Sequence, residues 1–265
     1  MFIKYCNILE CVLSSKGSPP EKVMYDKSLV ISSRSFQTFE PLTSVHSFLT
    51  SDLSYLTVSG GEPLLDKTHS SMLQYFINKQ RSSYISIHYN TNATIFAANL
   101  IPLWSRFKQV ELSFSIDNTG KKFEYERYGV SWETIVDTIE KYKKVTDTVL
   151  NFNVFSTITT LNILDTYTLF QFCREYELPV SFNLLNNPRQ LNICLFNSKQ
   201  KKYITDKLLN IQDDEFQKII EPIMALMNNS NMSTDTTDMI DYLSITDKIR
   251  KQDYKKTYEE LAYIL

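Results

Sequence analysis

Residues 56–65 read Leu-Thr-Val-Ser-Gly-Gly-Glu-Pro-Leu-Leu, and the rest of the chain is organised around this stretch. A short apolar run ends in two glycines, a carboxylate and a proline that suits the first turn of a helix, so the pattern predicts strand, turn and helix. Because glycine has no Cβ, a ligand can contact the backbone of Gly60 and Gly61 directly, and Glu62 adds a carboxylate for an ammonium group. An ordinary strand-to-helix turn explains the same residues equally well, so the context has to decide.

Composition excludes several classes of protein. The chain has 265 residues, 43% of them apolar and 13% aromatic, which is enough for one large domain or two small ones. A net charge of −2 argues against a nucleic-acid partner. No segment approaches the roughly 18 uncharged apolar residues of a membrane span, and Lys4 and Glu10 interrupt any signal-peptide core. Four scattered cysteines do not suggest a secreted disulfide scaffold, so we expect a cytoplasmic protein.

Strands and helices alternate between about residues 50 and 187. The clearest strand is 110–117, where apolar and polar residues alternate, so that Glu111, Ser113, Ser115 and Asp117 share one face. The predicted strands are 2–13, 56–59, 84–89, 110–117, 149–158 and 180–185, with a β-like segment at 29–32. Repeated strand–helix–strand units of this kind predict a parallel sheet with right-handed crossovers.

Helices are predicted from apolar residues at helical spacing. Before residue 187 they are 43–49, a helix from Pro63 through residue 77, 94–107, 132–142 and 163–176, and Pro102 must bend or shorten the third of these. From residue 199 onward only helices are predicted: 199–209, 214–227, 237–250 and 254–265, with a polar linker at 228–237. We therefore expect a sheet unit over residues 1–196 and a helical extension over 197–265 that packs on it.

The order of the short motifs resembles that of the radical S-adenosylmethionine (radical SAM) proteins, and in particular the short twitch-domain-containing members of phages and bacteria. The motifs are Ser-Gly-Gly-Glu-Pro at 59–63, Tyr-Asn-Thr-Asn at 89–92, Leu-Trp-Ser-Arg-Phe at 103–107, Ser-Phe-Ser-Ile-Asp at 113–117 and Phe-Glu-Tyr-Glu-Arg-Tyr-Gly at 123–129. The resemblance covers residues 2–196. It implies an α/β fold, an open six-stranded parallel (β/α)6 partial TIM barrel with its ligands at the carboxyl ends of the strands.

The resemblance also implies a site for S-adenosylmethionine. Its residues are Gly60, Gly61, Glu62, Pro63, Asn90, Asn92, Ser115 and Asp117. By this resemblance, Gly60, Gly61 and Glu62 would contact the amino group of the cofactor. The two asparagines, the serine and the aspartate would contact its ribose, its carboxylate or the substrate. Strand-end turns and helix caps use the same residue types, so Asn90, Asn92 and Asp117 also fit a purely structural role.

The family holds a [4Fe–4S] cluster with three cysteines spaced C-x3-C-x2-C, each of which ligates one iron. This chain offers Cys6 and Cys11 with four residues between them, and then Ser14 in the third position. A hydroxyl is a much poorer iron ligand than a thiolate, so we expect no stable redox-active cluster and interpret Cys6 and Cys11 as vestigial metal ligands. A degenerate member, a truncated or frameshifted gene, or a non-standard cluster completed by another ligand would each explain the motif.

Three functions from different classes remain open. The first, by resemblance, is an enzyme that cleaves S-adenosylmethionine to a radical that abstracts hydrogen from a peptide or small molecule. The second is a catalytically inactive barrel that binds the cofactor, a peptide or a partner subunit, and the third is a remnant without function. Other sites are not indicated, because His46, His69 and His88 are not spaced as a metal pair and no nucleophile elbow or phosphate loop occurs.

Overall fold

A computed structural model describes residues 28–32, 53–65, 69–145, 149–230 and 235–265. The predicted strand at 2–13, the predicted helix at 43–49 and the residues Cys6, Cys11 and Ser14 lie outside these ranges.

The strands form a parallel sheet in which their order follows the order of the chain. They are β1 (Ser28–Ser32), β2 (Tyr55–Ser59), β3 (Ser86–Thr91), β4 (Gln109–Ser115), β5 (Leu150–Ile158) and β6 (Val180–Leu184). The first four pair in sequence, with Thr57 opposite His88 and His88 opposite Glu111, and β5 pairs with β6. The predicted α/β class with a parallel sheet is therefore confirmed, and the segment at 29–32 is a strand of that sheet.

The helices also follow the expected alternation. They are α1 (His69–Asn78), α2 (Ile101–Trp104), α3 (Gly120–Glu126), α4 (Trp132–Lys143), α5 (Thr166–Glu175), α6 (Ser198–Leu209), α7 (Asp214–Asn228), α8 (Thr237–Arg250), α9 (Tyr254–Thr257) and α10 (Glu259–Ile264). Within the described part of the chain, none of them combines the length and apolar composition that crossing a bilayer requires.

The chain divides into two compact units. The first consists of the described residues up to Phe114 together with Thr138–Asn153. Strand β3 buries every second side chain, and β4 buries Val110, Leu112 and Phe114 on the same face. The Tyr89 hydroxyl bonds to His69 of α1 at 2.6 Å and to Trp104 of α2 at 3.0 Å. The buried face of the sheet therefore lies against helices, and the alternate residues form a separate, polar face.

The second unit consists of Ser115–Asp137 and Val154–Leu265. Its apolar core joins Phe170 of α5 to Phe216 and Ile220 of α7 and to Leu243 of α8. Helix α6 begins at a capping box, in which the Asn197 side chain accepts hydrogen bonds from the backbone N–H groups of residues 199 and 200. Helices α6 to α10 share this core with β6, and the division at residue 196 stays a prediction.

The helix predicted over residues 94–107, with a bend or shortening at Pro102, is shortened to the four residues of α2, and residues 94–100 are not helical. The Tyr142 hydroxyl accepts a hydrogen bond from the Ala97 N–H at 3.0 Å and donates one to the Ile95 carbonyl at 3.1 Å. These tertiary hydrogen bonds hold the backbone in a non-helical path. Local apolar spacing could not reveal a partner 45 residues away.

Two further elements differ from the sequence prediction. Pro63 begins a single 3-10 turn, Pro63–Leu65, and the next described helix begins at His69. The helix predicted over 254–265 is broken at Tyr258, whose backbone leaves the helical region while its hydroxyl donates to the Glu126 carboxylate at 2.8 Å. Helix α3 was not predicted from the sequence.

Candidate functional site

The turn after β2 has the backbone that its glycines suggested. Gly60 has a φ of 122°, a conformation that is strained for any residue with a Cβ, whereas Gly61 is exposed and has no positive φ. Pro63 is buried at the start of the 3-10 turn, which is closed by a 3.2 Å hydrogen bond from the Leu65 N–H to the Glu62 carbonyl. The turn therefore exposes the backbone at Gly61 and places the half-buried Glu62 side chain just after the carboxyl end of β2.

Glu62 joins the ends of two neighbouring strands. Its Oε2 accepts a hydrogen bond from the Asn92 N–H at 2.8 Å, and its Oε1 accepts one from the Thr91 hydroxyl at 2.9 Å. Oε1 also accepts from the Leu64 N–H at 3.2 Å. Because three donors from the chain hold the carboxylate, its position is fixed before any ligand arrives.

The electrostatics of Glu62 are set by opposing effects. Burial raises the pKa of Glu62, and the hydrogen bonds from Asn92, Leu64 and Thr91 oppose that rise without cancelling it. A cation beside the carboxylate would favour its charged form and lower this pKa again. The site is therefore arranged so that a positively charged ligand compensates for part of the cost of burying Glu62.

Asn90 and Asn92, predicted together, have different surroundings. The Asn92 side chain accepts hydrogen bonds from the Thr94 N–H at 3.0 Å and the Thr94 hydroxyl at 2.6 Å, which makes it the first residue of an Asx turn. Asn90 is half-buried on β3 opposite Ser113, and its amide has no hydrogen-bond partner among the described residues. Of these two residues, Asn90 is the one with a side chain available to a ligand.

Ser115 and Asp117, the other predicted site residues, belong to the second unit. Ser115 ends β4 and is half-buried. Asp117 accepts a hydrogen bond from the Thr157 N–H at 2.8 Å and forms an ion pair with Arg127. Asp117 therefore holds the end of β4 to β5 within this unit, in the structural role that the sequence left open. Arg127, its partner, was quoted in a motif but not identified as a site residue.

The sequence also did not single out Glu126. Its carboxylate accepts hydrogen bonds from the Asn118 amide at 3.0 Å, the Tyr258 hydroxyl at 2.8 Å and the Asn162 amide at 3.3 Å. Burial, with the nearby Asp117 charge, raises the pKa of Glu126 to about 7. A carboxyl group that titrates near neutrality is a feature of functional sites and of buried networks alike.

A second polar cluster lies on the polar face of the sheet in the first unit. His88 Nε2 is 2.8 Å from the Ser113 hydroxyl, which lies 2.6 Å from Asn153 Oδ1, and the Asn153 amide donates to Glu111. The strict alternation of β4 predicted the common face of Glu111 and Ser113. Their partners on β3 and β5 come from the sheet register, which the sequence does not state.

The described residues do not fit an iron–sulfur cluster. None of their His, Cys, Asp and Glu side chains come together in a group of three or more that could hold a metal ion. Cys173 is buried on α5, where burial raises the pKa of its thiol to about 12, so it is a core residue as expected. Cys194, the other cysteine in these ranges, is half-buried and carries no disulfide.

No family model matches the chain, and no curated protein matches it. Among solved structures, Streptococcus suis SuiB bound to S-adenosylmethionine is 16% identical with a TM-score of 0.43, covering 60% of this chain and 36% of SuiB.

Two other solved structures give similar values. anSMEcpe with bound AdoMet is 15% identical with a TM-score of 0.46, covering 68% of this chain and 49% of that one. SuiB bound to its precursor peptide SuiA is 15% identical with a TM-score of 0.43, covering 69% and 38%. The chain spans less than half the length of each of these proteins. At these identities and TM-scores they establish neither the family nor the activity of this chain.

Proposed function

We propose that the chain is a radical-SAM-like protein whose Gly60–Pro63 turn binds the amino group of S-adenosylmethionine. The observation that carries the proposal is the Glu62 carboxylate, held by donors from β3 at the carboxyl end of β2, beside the exposed backbone of Gly61. Parallel α/β folds bind ligands at this end of their strands. The order of motifs that resembles the family supports the same assignment.

The chain's own residues would bind and orient the cofactor. Ionised Glu62 uses three of its roughly four acceptor positions within the chain, which leaves one for an ammonium N–H. Backbone groups at Gly61 can approach the same ammonium without a Cβ in the way. In the family that the chain resembles, S-adenosylmethionine supplies radical chemistry when it is bound to a cluster.

The metal part of the proposal concerns residues outside the described ranges. We propose that Cys6 and Cys11 are vestigial ligands of a [4Fe–4S] cluster, with Ser14 in the place of the third cysteine. This substitution favours a second candidate function, a barrel that binds the cofactor, a peptide or a partner subunit without radical chemistry. Iron and sulfide content after anaerobic reconstitution separates the two, because only the enzyme needs a stoichiometric cluster.

The proposal also covers the type of fold, the cellular location and the class of substrate. We infer an open six-stranded barrel of the twitch-domain-containing type with a C-terminal helical extension, in a cytoplasmic protein with no nucleic-acid or membrane partner. Its substrate would be a peptide or a small molecule. Asn90, Asn92, Ser115 and Asp117 stay proposed contacts of the cofactor or substrate, and among them Asn90 has the amide that the described residues leave unbonded.

Calorimetric titration with S-adenosylmethionine tests the binding proposal. The key variant is Glu62→Gln, which removes the charge but keeps an oxygen for Thr91 and Leu64. The matched control is Glu140→Gln on an exposed position of α4, in the same unit. We expect the wild type and the control to bind the cofactor equally and Glu62→Gln to bind at least about tenfold more weakly. Equal binding by all three proteins would contradict the role of Glu62.

A further inference from the structure

Four side chains on the polar face of the first unit's sheet form a continuous chain of hydrogen bonds. His88 from β3 bonds to Ser113 of β4, Ser113 bonds to Asn153 of β5, and Asn153 bonds back to Glu111 of β4. Ser113 is buried, and the other three are half-buried. None of these residues is used by the Glu62 site, so the cluster has to be explained separately.

The chemistry of the groups fixes the direction of every proton in this chain. An ionised carboxylate only accepts, so the Asn153 NH2 faces Glu111 and its Oδ1 faces Ser113. Oδ1 cannot donate, so the Ser113 hydroxyl gives its one proton to Asn153. The serine oxygen must then accept from His88 Nε2–H. A neutral His88 therefore carries its lone pair on Nδ1.

Two hydrogen-bond acceptors of this cluster have no donor in the described part of the chain. His88 Nδ1 and Glu111 Oε2 have no hydrogen-bond partner among the described residues, and no described Lys or Arg forms an ion pair with Glu111. Burial lowers the pKa of His88 although Glu111 opposes this shift, so the imidazole is neutral at pH 7. Tyr55 of β2 is on the same face, where burial and the Glu111 charge raise the pKa of its phenol.

A half-buried carboxylate with one unused oxygen is complementary to a ligand that brings positive charge and N–H donors. A metal ion fits less well, because the described residues supply no third His, Cys, Asp or Glu ligand. The ring of Tyr55 offers an aromatic surface for the same cation. We propose that this polar face binds a primary ammonium or guanidinium group, with Glu111 Oε2 and His88 Nδ1 as its hydrogen-bond acceptors.

Two sources of such a group exist, a small amine and a basic side chain of a peptide, and the probes distinguish them. The small probe is n-butylammonium, with n-butanol as its neutral counterpart. The peptide probe is a capped Ala-Lys-Ala tripeptide, with norleucine in place of lysine as its counterpart. Nitrogen-15 NMR of the imidazoles reports binding, and the resonances of His88 are identified by comparison with a His88→Asn variant.

We expect the free protein to show His88 in the Nε2–H form and a charged probe to shift its Nδ1 resonance. If both charged probes saturate the site, a small amine is sufficient for binding. If only the lysine peptide saturates it, the ligand is the basic side chain of a peptide. Saturation by neither, or equal shifts with the neutral counterparts, overturns the proposal. Binding of the probes is measured on the wild-type chain alone, and the His88→Asn variant serves only to assign the resonances.

Variants then locate the contacts. Glu111→Gln keeps an oxygen for the Asn153 amide but loses the charge, and we expect it to bind the charged probes at least about tenfold more weakly. Glu140→Gln is the control and should bind as the wild type does, with circular dichroism checking that both variants are folded. Unchanged affinity in a folded Glu111→Gln variant would overturn the assignment.

This inference is independent of cofactor binding, and a competition experiment keeps the two separate. S-adenosylmethionine carries an ammonium group of its own, so it is added to the protein already saturated with n-butylammonium. We expect the His88 shift to persist at cofactor concentrations that saturate the calorimetric titration, or to persist in the absence of any cofactor binding. Displacement of the probe by the cofactor would show that the polar face is part of the cofactor site and would overturn the proposal of a separate one.

Discussion

The Glu62 carboxylate accepts a hydrogen bond of 2.8 Å from the backbone N–H of Asn92, so a side chain from the turn after β2 ties that turn to the end of β3. The Thr91 hydroxyl donates to the other oxygen of the same carboxylate at 2.9 Å. The Glu62 carboxylate is therefore held by donors at the end of β3 on both of its oxygens.

The contribution of Thr91 is tested by Thr91→Val, which has a similar shape and no hydroxyl. Thr91 is buried, so Glu62 Oε1 would lose a donor that water does not replace. We expect the free energy of unfolding to fall by about 1 kcal/mol. Urea denaturation measures it, with Thr168→Val at an exposed position of α5 as the control. A loss no larger than that of the control would show that the hydrogen bond adds no stability.

We expect Gly60→Ala to lower stability and Gly61→Ala to weaken cofactor binding. Gly60→Ala places a Cβ on a residue with a φ of 122°, and we expect a loss of about 2 kcal/mol in the free energy of unfolding. Gly61→Ala should leave stability nearly unchanged, because this residue is exposed and has no positive φ, but it should weaken binding of S-adenosylmethionine by obstructing the backbone. Thermal unfolding and calorimetry on both variants check this. The reverse pattern would contradict the proposed roles.

Cofactor binding should depend on pH through Glu62. Its pKa is raised in the free protein, and a bound ammonium group favours the ionised carboxylate. Binding therefore releases protons, and the affinity rises with pH until Glu62 is fully ionised in the free protein. Calorimetry in two buffers of different ionisation enthalpy measures the protons released. A proton release in Glu62→Gln equal to that of the wild type would assign this dependence to another group.

In the second unit, Glu126 should make stability fall as the pH rises. Its pKa is raised from 4.5 to about 7 in the folded state, so the native state holds the proton more tightly than the unfolded state does. The associated stability is complete below pH 4.5 and is lost as the pH approaches 7. Between pH 5 and pH 8 the free energy of unfolding of the wild type should therefore fall by about 2 to 3 kcal/mol relative to that of Glu126→Gln, which has no group that titrates at this position.

Urea denaturation at the two pH values measures this difference. Glu175→Gln, at an exposed position of α5, is the control and should show no such growth. Since Asp117 contributes to the shift of Glu126, a variant Asp117→Asn should reduce the pH dependence without abolishing it. A difference between Glu126→Gln and the wild type that does not change with pH would refute the predicted titration.

The sequence predicted those parts of the fold in which local pattern and tertiary structure agree. The alternation along 110–117 located β4, and apolar spacing located α8 at the residues where the structure has it. It failed over residues 94–100, because the Tyr142 hydroxyl takes up backbone groups that a helix would have paired. It also failed at Tyr258, whose hydrogen bond to Glu126 crosses 132 positions of the chain.

The candidate site shows the same limit. The pair of glycines and the carboxylate after them were evident, and Gly60 has the positive φ that its residue type suggested. Glu62 bonds to Thr91, which lies between the two asparagines of the 89–92 motif. This contact depends on the register of β2 and β3, which neither strand encodes alone. His88 was not distinguished from an ordinary histidine for the same reason, since its partners lie on β4 and β5.

The central claim is that Glu62 contacts the amino group of the cofactor, and a double-mutant cycle between protein and ligand tests it most directly. Calorimetry would compare S-adenosylhomocysteine with its analogue that lacks the α-amino group, on the wild type and on Glu62→Gln. We expect Glu62→Gln to weaken binding of S-adenosylhomocysteine by at least about tenfold and to leave binding of the deaminated analogue unchanged. An equal effect of the variant on both ligands, or no effect on either, would contradict the claim.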